Sequence, residues 1–131
     1  PMSYTHANDS IPKSVILYTP YTKISVSPGA SIDYSIDLIN NTDQLMNANL
    51  SVSGLSASWK HEMKSGGWSL SQLSVLPKEK KTFNLKVEVP LKVNKGNYHF
   101  VVYAGNAKLP LDVVVAQKGT YQTEFGSVRC V

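Results

Sequence analysis

The 131-residue chain is short of cysteine, arginine and charge. Its one cysteine, Cys130, excludes an internal disulfide framework and a Cys-rich zinc site. Its one arginine, Arg129, argues against a phosphate or nucleic-acid surface, where the bidentate guanidinium fork is favoured. Charged residues make up 17%, below the usual ~25% of globular domains. No apolar run approaches the ~18 residues of a membrane-spanning helix. The composition also excludes collagen, coiled coil and disorder. The length fits one domain, at about 100–200 residues per domain, and suffices to bury a core without staples.

Signatures of catalysis are missing as well. There is no Gly-x-Ser-x-Gly elbow, no glycine-rich phosphate loop and no EF-hand spacing. His6, His61 and His99 are isolated, with no helical His pair and no carboxylate at ligand spacing, and a metal needs at least three converging donors. Asp33 and Asp37 share one polar strand face, but four residues of strand separate them by about 13 Å, too far for a glycosidase pair. The expectation is a domain with no catalytic residues, no cofactor and no metal.

What is present is period two. Ile32, Tyr34, Ile36 and Leu38 alternate with polar residues, as do Ala48, Leu50 and Val52, then Trp59, His61 and Met63. The pattern returns at Phe83, Leu85, Val87 and Val89, at Tyr98, Phe100, Val102 and Ala104, and at Leu109, Leu111, Val113 and Val115. Two shorter runs, Ser14–Tyr18 and Lys23–Ser27, bracket Pro20. Alternation of this kind marks half-buried strands, and turn chemistry separates them: Pro28-Gly29, Asn40-Asn41-Thr42-Asp43, Ser65-Gly66-Gly67, Lys95-Gly96-Asn97 and Gly105-Asn106. About eight strands follow, with no helix. The predicted architecture is all-β: a two-sheet antiparallel immunoglobulin-like β-sandwich of about 7–9 strands. Pro20 fits a break where the first strand switches sheets or leaves an edge. Trp59 is the candidate sandwich tryptophan, held by packing in place of the missing disulfide.

The formal charge of +4 is concentrated in Lys78, Lys80, Lys81, Lys86, Lys92 and Lys95, diluted by Glu79 and Glu88. Such a stretch serves either as a patch for an acidic partner (a polyanionic cell-wall polymer, a membrane surface, nucleic acid) or as a solvated face guarding strand edges. The second reading is favoured, because lysine is the usual edge guard. Among the aromatics Trp59, Trp68, Tyr18, Tyr21, Tyr34, Tyr98 and Tyr103, most are expected in the core. Trp68, after Gly66-Gly67, is the best candidate for exposure, although the favoured reading packs both tryptophans in the core or under a loop. With Tyr18 and Tyr21 it makes the candidate ligand-contact set, as rings that stack on sugar faces. Asn8, Asn40 and Asn49 lie in Asn-x-Ser/Thr triplets, which also arise by chance in Asn- and Ser-rich turns.

The ends read differently from the middle. Pro1-Met2 is no natural start, so residues 1–12 are expected to be trimmed, tagged or disordered, with the sandwich over 13–118. Residues 119–131 read as an exit linker and a vector-derived tail, since Glu124-Phe125 and Gly126-Ser127 are dipeptides that cloning sites encode.

Several segments in order carry a resemblance: Ser27-Pro28-Gly29, then the strand ending in Asn40-Asn41-Thr42, then Leu50–Leu55 with Trp59. Val75–Lys81, Leu85–Pro90 and Lys95–Tyr98 complete the set. The stretch from about Ile24 to Val115 resembles the bacterial immunoglobulin-like domains found beside alpha-galactosidases and NPCBM carbohydrate-binding modules, the alpha-galactosidase-associated NEW family. The family's Pro-Gly-Glu turn is Pro77-Lys78-Glu79 here, so a positive φ is not expected at that turn. The resemblance implies a non-catalytic accessory module of an exported bacterial envelope or carbohydrate-active protein, at the cell surface or outside the cell. Its role would be that of a spacer or docking domain, and the alternative is a carbohydrate-binding module using exposed aromatics. The implied partners are neighbouring domains of a larger chain and a polysaccharide, with no nucleic acid, and with a membrane only through an anchor outside this sequence.

Overall fold

Each alternating run becomes a strand because its apolar positions have a common face to bury. The computed structural model describes residues 14–116. The strands are β1 (Val15–Tyr18), β2 (Lys23–Val26), β3 (Ser31–Asn40), β4 (Met46–Ser53), β5 (Lys60–Ser65), β6 (Trp68–Ser69), β7 (Gln72–Val75), β8 (Lys80–Glu88), β9 (Gly96–Ala104) and β10 (Ala107–Val115). They form two five-stranded sheets, ordered β1-β3-β8-β5-β6 and β2-β10-β9-β4-β7. No helix occurs among the described residues. Taking β1, β3, β8 and β5 as strands A, B, E and D, and β4, β9 and β10 as C, F and G, this is the ABED/CFG arrangement of the immunoglobulin sandwich.

The inward faces are those the alternation marked. Ile36, Leu38, Phe83, Leu85, Val87, Phe100, Val102, Leu111 and Val113 are fully buried between the sheets. Tyr34 meets Phe100 edge-on across the core, with centroids 6.1 Å apart and planes at 71°. Trp59 is buried just before β5 and lies tilted on Tyr98 at 4.8 Å. Leu55 packs against the same cluster. The sandwich end is therefore closed by this loop without a disulfide.

Three sequence expectations are corrected. The pairing is not wholly antiparallel: β2 runs parallel to β10, with Lys23 beside Asp112 and Val26 beside Val115. The cause is the break at Pro20. β1 pairs with β3 in one sheet, and the chain then crosses and continues on the same heading into the other sheet, beside a strand of that heading. The strand count is ten rather than about 7–9, because β6 has two residues and β7 four. Runs so short carry almost no period. Lastly, Lys78 adopts φ +62. The amide of Glu79 donates to the carbonyl of Leu76 at 3.1 Å, so Pro77 and Lys78 are the central residues of a turn with positive φ at its second central position. Lysine there takes up the conformation that glycine adopts freely.

Gly54 makes a bend that a side chain would obstruct. Its φ is +104, and an added Cβ would lie 3.0 Å from the His99 carbonyl oxygen and 3.1 Å from Phe100 Cα.

The strands define two poles. Ser14, the turns at 41–45, 76–79 and 105–106, and the start of β1 lie at one, where the Asn41 amide donates to the Ser14 carbonyl. The loops at 27–30, 54–59 and 89–95 lie at the other, with the end of β10, where the Ala116 amide donates to the Val26 carbonyl. These are called the entry and exit poles. The expectations about residues 1–12 and 119–131 lie outside the described residues, as do Asn8, Arg129 and Cys130.

Candidate functional site

The three aromatic candidates do not form one platform. Trp68 is 76% exposed on β6, at one edge of its sheet. Tyr18, 52% exposed, is on β1 at the opposite edge of that sheet, four strand spacings or about 19 Å away. Tyr21, 67% exposed, follows Tyr18 across Pro20 in the crossing to β2. Tyr18 and Tyr21 thus share one side of the sandwich and Trp68 occupies the other. Of the remaining rings, Trp59 and Tyr34 are core, and Tyr98 and Tyr103 are half-buried.

Beside Trp68, the Ser69 hydroxyl donates to the Glu62 carboxylate on the adjoining strand. This bond holds the hairpin that presents the indole. Gly66 and Gly67, both at positive φ, make its two-residue turn.

Histidines behave as single residues with one addition. His61 is exposed on β5, its Nδ1 3.4 Å from the Trp59 carbonyl oxygen. His99 does have a carboxylate neighbour, contrary to expectation: Nδ1 lies 3.1 Å from Asp112 Oδ1. Thirteen residues separate the two in sequence, and the β9–β10 hairpin sets them opposite each other. Among the described residues no group of three or more His, Cys, Asp or Glu side chains converges as a metal site needs. The Tyr34 hydroxyl is buried without a hydrogen-bond partner, and its pKa is pushed up to about 12, first by burial and second by the charge of Asp112.

The lysine stretch is divided between the poles. At the entry pole Lys78 lies 3.6 Å from Asp43, Lys80 4.0 Å from Asp37, and Lys81 3.9 Å from Glu79. At the exit pole Lys92 and Lys95 are exposed on the β8–β9 loop, facing Ser56 and Ser58 on the β4–β5 loop across a cleft of about 760 Å³. Trp59 and Tyr98 form part of its wall, and the Tyr98 hydroxyl donates to the Asn94 carbonyl at 2.7 Å, fixing the loop. A second cleft of about 520 Å³ adjoins it, sharing Ser58 and Leu91, and is bordered by Lys60, Lys86 and Glu88. Leu91 is 82% exposed between the two clefts. Sequence reading grouped these lysines by their order in the chain. The opposition of two loops separated by some thirty-five residues has no local signal.

Of the sequons, Asn40 is fully buried and has no room for a glycan, whereas Asn49 is exposed on β4 and accepts a hydrogen bond from Gln72 Nε2 at 3.2 Å.

Fold and surface together define an immunoglobulin-like β-sandwich domain. No protein-family model matches the chain, and no curated protein matches it. Solved structures do share its fold. A family 123 glycoside hydrolase from Clostridium perfringens, described in terms of glycolipid glycan hydrolysis, is similar at 12% identity and TM-score 0.55, covering 72% of this chain and 23% of that one. Domains 4 and 5 of the S-layer protein SbsC are similar at 14% identity and TM-score 0.51, covering 76% of this chain and 50% of that one. A FixG-related protein from Vibrio parahaemolyticus is similar at 16% identity and TM-score 0.51, covering 82% of this chain and 99% of that one. The chain spans 23% of the first of these proteins and 50% of the second.

Proposed function

We propose that this chain is a non-catalytic accessory module of an exported, carbohydrate-related bacterial protein, where it spaces or docks neighbouring domains. The observation that carries this reading is the placement of Ser14 and Ala116 at opposite poles. A sandwich entered at one pole and left at the other holds its neighbours apart by its own length. The nine residues of β10 give about 30 Å for that span. The likeness to part of a glycoside hydrolase and part of an S-layer protein supports the setting, as does the resemblance to the alpha-galactosidase-associated NEW family.

The test is a pair of measurements on the full chain. Dyes placed through S14C and A116C, with C130S, should report a separation of about 30 Å, and a value below about 15 Å would refute the spacer geometry. A panel of aryl glycosides should show no turnover above buffer; hydrolysis that survives purification to homogeneity would overturn the non-catalytic part. A second reading, carbohydrate binding through Trp68, is favoured by the exposure of that ring at 76% on a pinned hairpin.

A further inference from the structure

We infer that the exit-pole cleft is a binding site for an anionic polysaccharide. The inference rests on the carbohydrate-related reading above and names a ligand class and a site for it. Its basis is an asymmetry in charge pairing. Lys78, Lys80 and Lys81 at the entry pole each have a carboxylate within 4.0 Å, whereas Lys23, Lys64 and Lys108 stand singly on strands without an ion pair among the described residues. Among the described residues, none of Lys60, Lys86, Lys92 and Lys95 has one.

The larger cleft has two of these ammonium groups, Lys92 and Lys95, and no carboxylate in its lining. The adjoining cleft has Lys60 and Lys86 with one carboxylate, Glu88, which faces Lys60 across the β5–β8 pair. Asp33 and Glu62 flank Lys86 in register but form no ion pair with it within 4 Å. The charge is therefore uncompensated in the larger cleft, between Lys92 and Lys95. Concave walls of low dielectric focus that potential on whatever lies between them.

The groups beside the lysines suit a sugar more than a nucleic acid. Ser56 and Ser58 hydroxyls, 2.9 Å apart, and the Asn94 amide offer donors and acceptors at hydroxyl height. Arginine is missing from residues 14–116, so the planar fork that reads phosphodiesters bidentately is not available. The exposed aromatics Trp68, Tyr18 and Tyr21 lie elsewhere, and the two rings in the cleft wall, buried Trp59 and half-buried Tyr98, are packed on each other rather than splayed for stacking bases. The cleft of about 760 Å³ lies within the usual range for small-ligand sites, about 300–1,000 Å³. Its continuation past Leu91 into the second cleft gives a polymer a path in and out.

The charge on such a polymer is a uronate carboxylate, because the missing guanidinium fork argues against a phosphodiester backbone. The test uses the full chain, titrated calorimetrically against polygalacturonate, fully methyl-esterified polygalacturonate, poly(glycerol phosphate) and double-stranded DNA. Polygalacturonate should bind, with the esterified polymer and poly(glycerol phosphate) each at least about tenfold weaker and affinity falling as salt is raised. K92Q/K95Q should weaken binding about fivefold or more, whereas K80Q/K81Q, which removes the same charge from the paired pole, should change it less than about twofold. Circular dichroism and urea unfolding will show that both variants fold. Equal losses in the two variants would reduce the effect to net charge and overturn the site. DNA or poly(glycerol phosphate) binding as tight as polygalacturonate, with the same lysine dependence, would overturn the ligand class. No binding of polygalacturonate would overturn the proposal while leaving the spacer geometry and the glycoside panel to stand on their own results.

Discussion

Replacing Asn40 should unlock the entry pole. The residue ends β3 and is fully buried, yet it is polar. Its Nδ2 faces three backbone carbonyls, donating to Gln44 at 2.8 Å, Val75 at 2.9 Å and Leu76 at 3.2 Å. Its Oδ1 accepts from the Thr42 amide at 3.1 Å and the Thr42 hydroxyl at 2.6 Å. One side chain thus ties the β3–β4 turn to the β7–β8 turn, thirty-five residues further along the chain. In Asn40→Ala the Val75 carbonyl loses its buried donor, which costs about 1–3 kcal/mol. The other partners are only partly buried and recover some hydration, adding a few tenths of a kcal/mol each, on the order of 1 kcal/mol together. The expected loss is about 3 kcal/mol, or roughly 12–20 °C in Tm for a domain of this size.

The assay is equilibrium urea unfolding followed by tryptophan fluorescence, with Trp59 as the buried reporter. The midpoint should fall with the slope unchanged, since the surface exposed on unfolding is the same. Thr42→Ala is the companion. It removes the hydroxyl bonds at the solvent side of the turn and should cost about 1 kcal/mol. Asn40→Asp keeps the shape but sets carboxylate oxygens against carbonyls. It should cost at least as much as the alanine at neutral pH and recover as acid protonates the carboxyl. A loss below about 1 kcal/mol in Asn40→Ala, or one no larger than in Thr42→Ala, would refute the assignment of the buried carbonyl bond as the dominant contribution.

Other outcomes follow from single residues. Tyr34 has a folded pKa of about 12 against an ordinary value of 10.0. The unfolded chain loses that proton first, so the stability is fully present below pH 10 and is lost as pH rises toward 12. The total is about 3 kcal/mol at 1.36 kcal/mol per pH unit. Tyr34→Phe should remove this alkaline decline from pH-dependent urea midpoints. At neutral pH it should leave stability unchanged or raised, because the lost hydroxyl has no partner; an unaltered alkaline slope in the variant would exclude Tyr34 as its source. Gly54→Ala should cost about 2 kcal/mol or more, because positive φ and the close His99 and Phe100 backbone act together. Thermal melts within about 1 °C of the parent would contradict that geometry. Trp68→Ala should leave stability within about 0.5 kcal/mol, as an exposed edge residue does, while abolishing any retention on neutral-glycan affinity gels; retention unaffected by the change would remove the Trp68 platform.

How much of this was legible in the chain depended on how local each interaction is. Strands β3, β8, β9 and β10 were visible because eight or more residues of alternation leave one solution for their faces. A break at Pro20 was visible because proline cannot donate to a ladder, but whether the strand switched sheets or left an edge was settled only by the strand order. β6 and β7 were not, since two and four residues beside serines carry no period and owe their pairing to β5 and β4. The positive φ at Lys78 was hidden for a different reason. Only the hydrogen bond from Glu79 back to Leu76, with Pro77 fixed between them, demands it.

The site follows the same rule more severely. The two glycines before Trp68 marked it only as the best candidate for exposure, and burial of both tryptophans was the favoured expectation, which its 76% exposure overturns. That Tyr18 and Tyr21 lie on the far side of the sandwich depends on strand order, which no local pattern encodes. The lysines show the point most clearly. In sequence Lys78 and Lys80 stand near Lys86 and Lys92 and read as one run. In the sandwich β8 carries the chain from pole to pole between them, so the first group meets Asp37, Asp43 and Glu79 while Lys92 and Lys95 meet serines and an open cleft. A run of like charge threaded along a strand thereby becomes two surfaces of different chemistry, one neutralised and one not. It is the unneutralised one that has a shape to hold something.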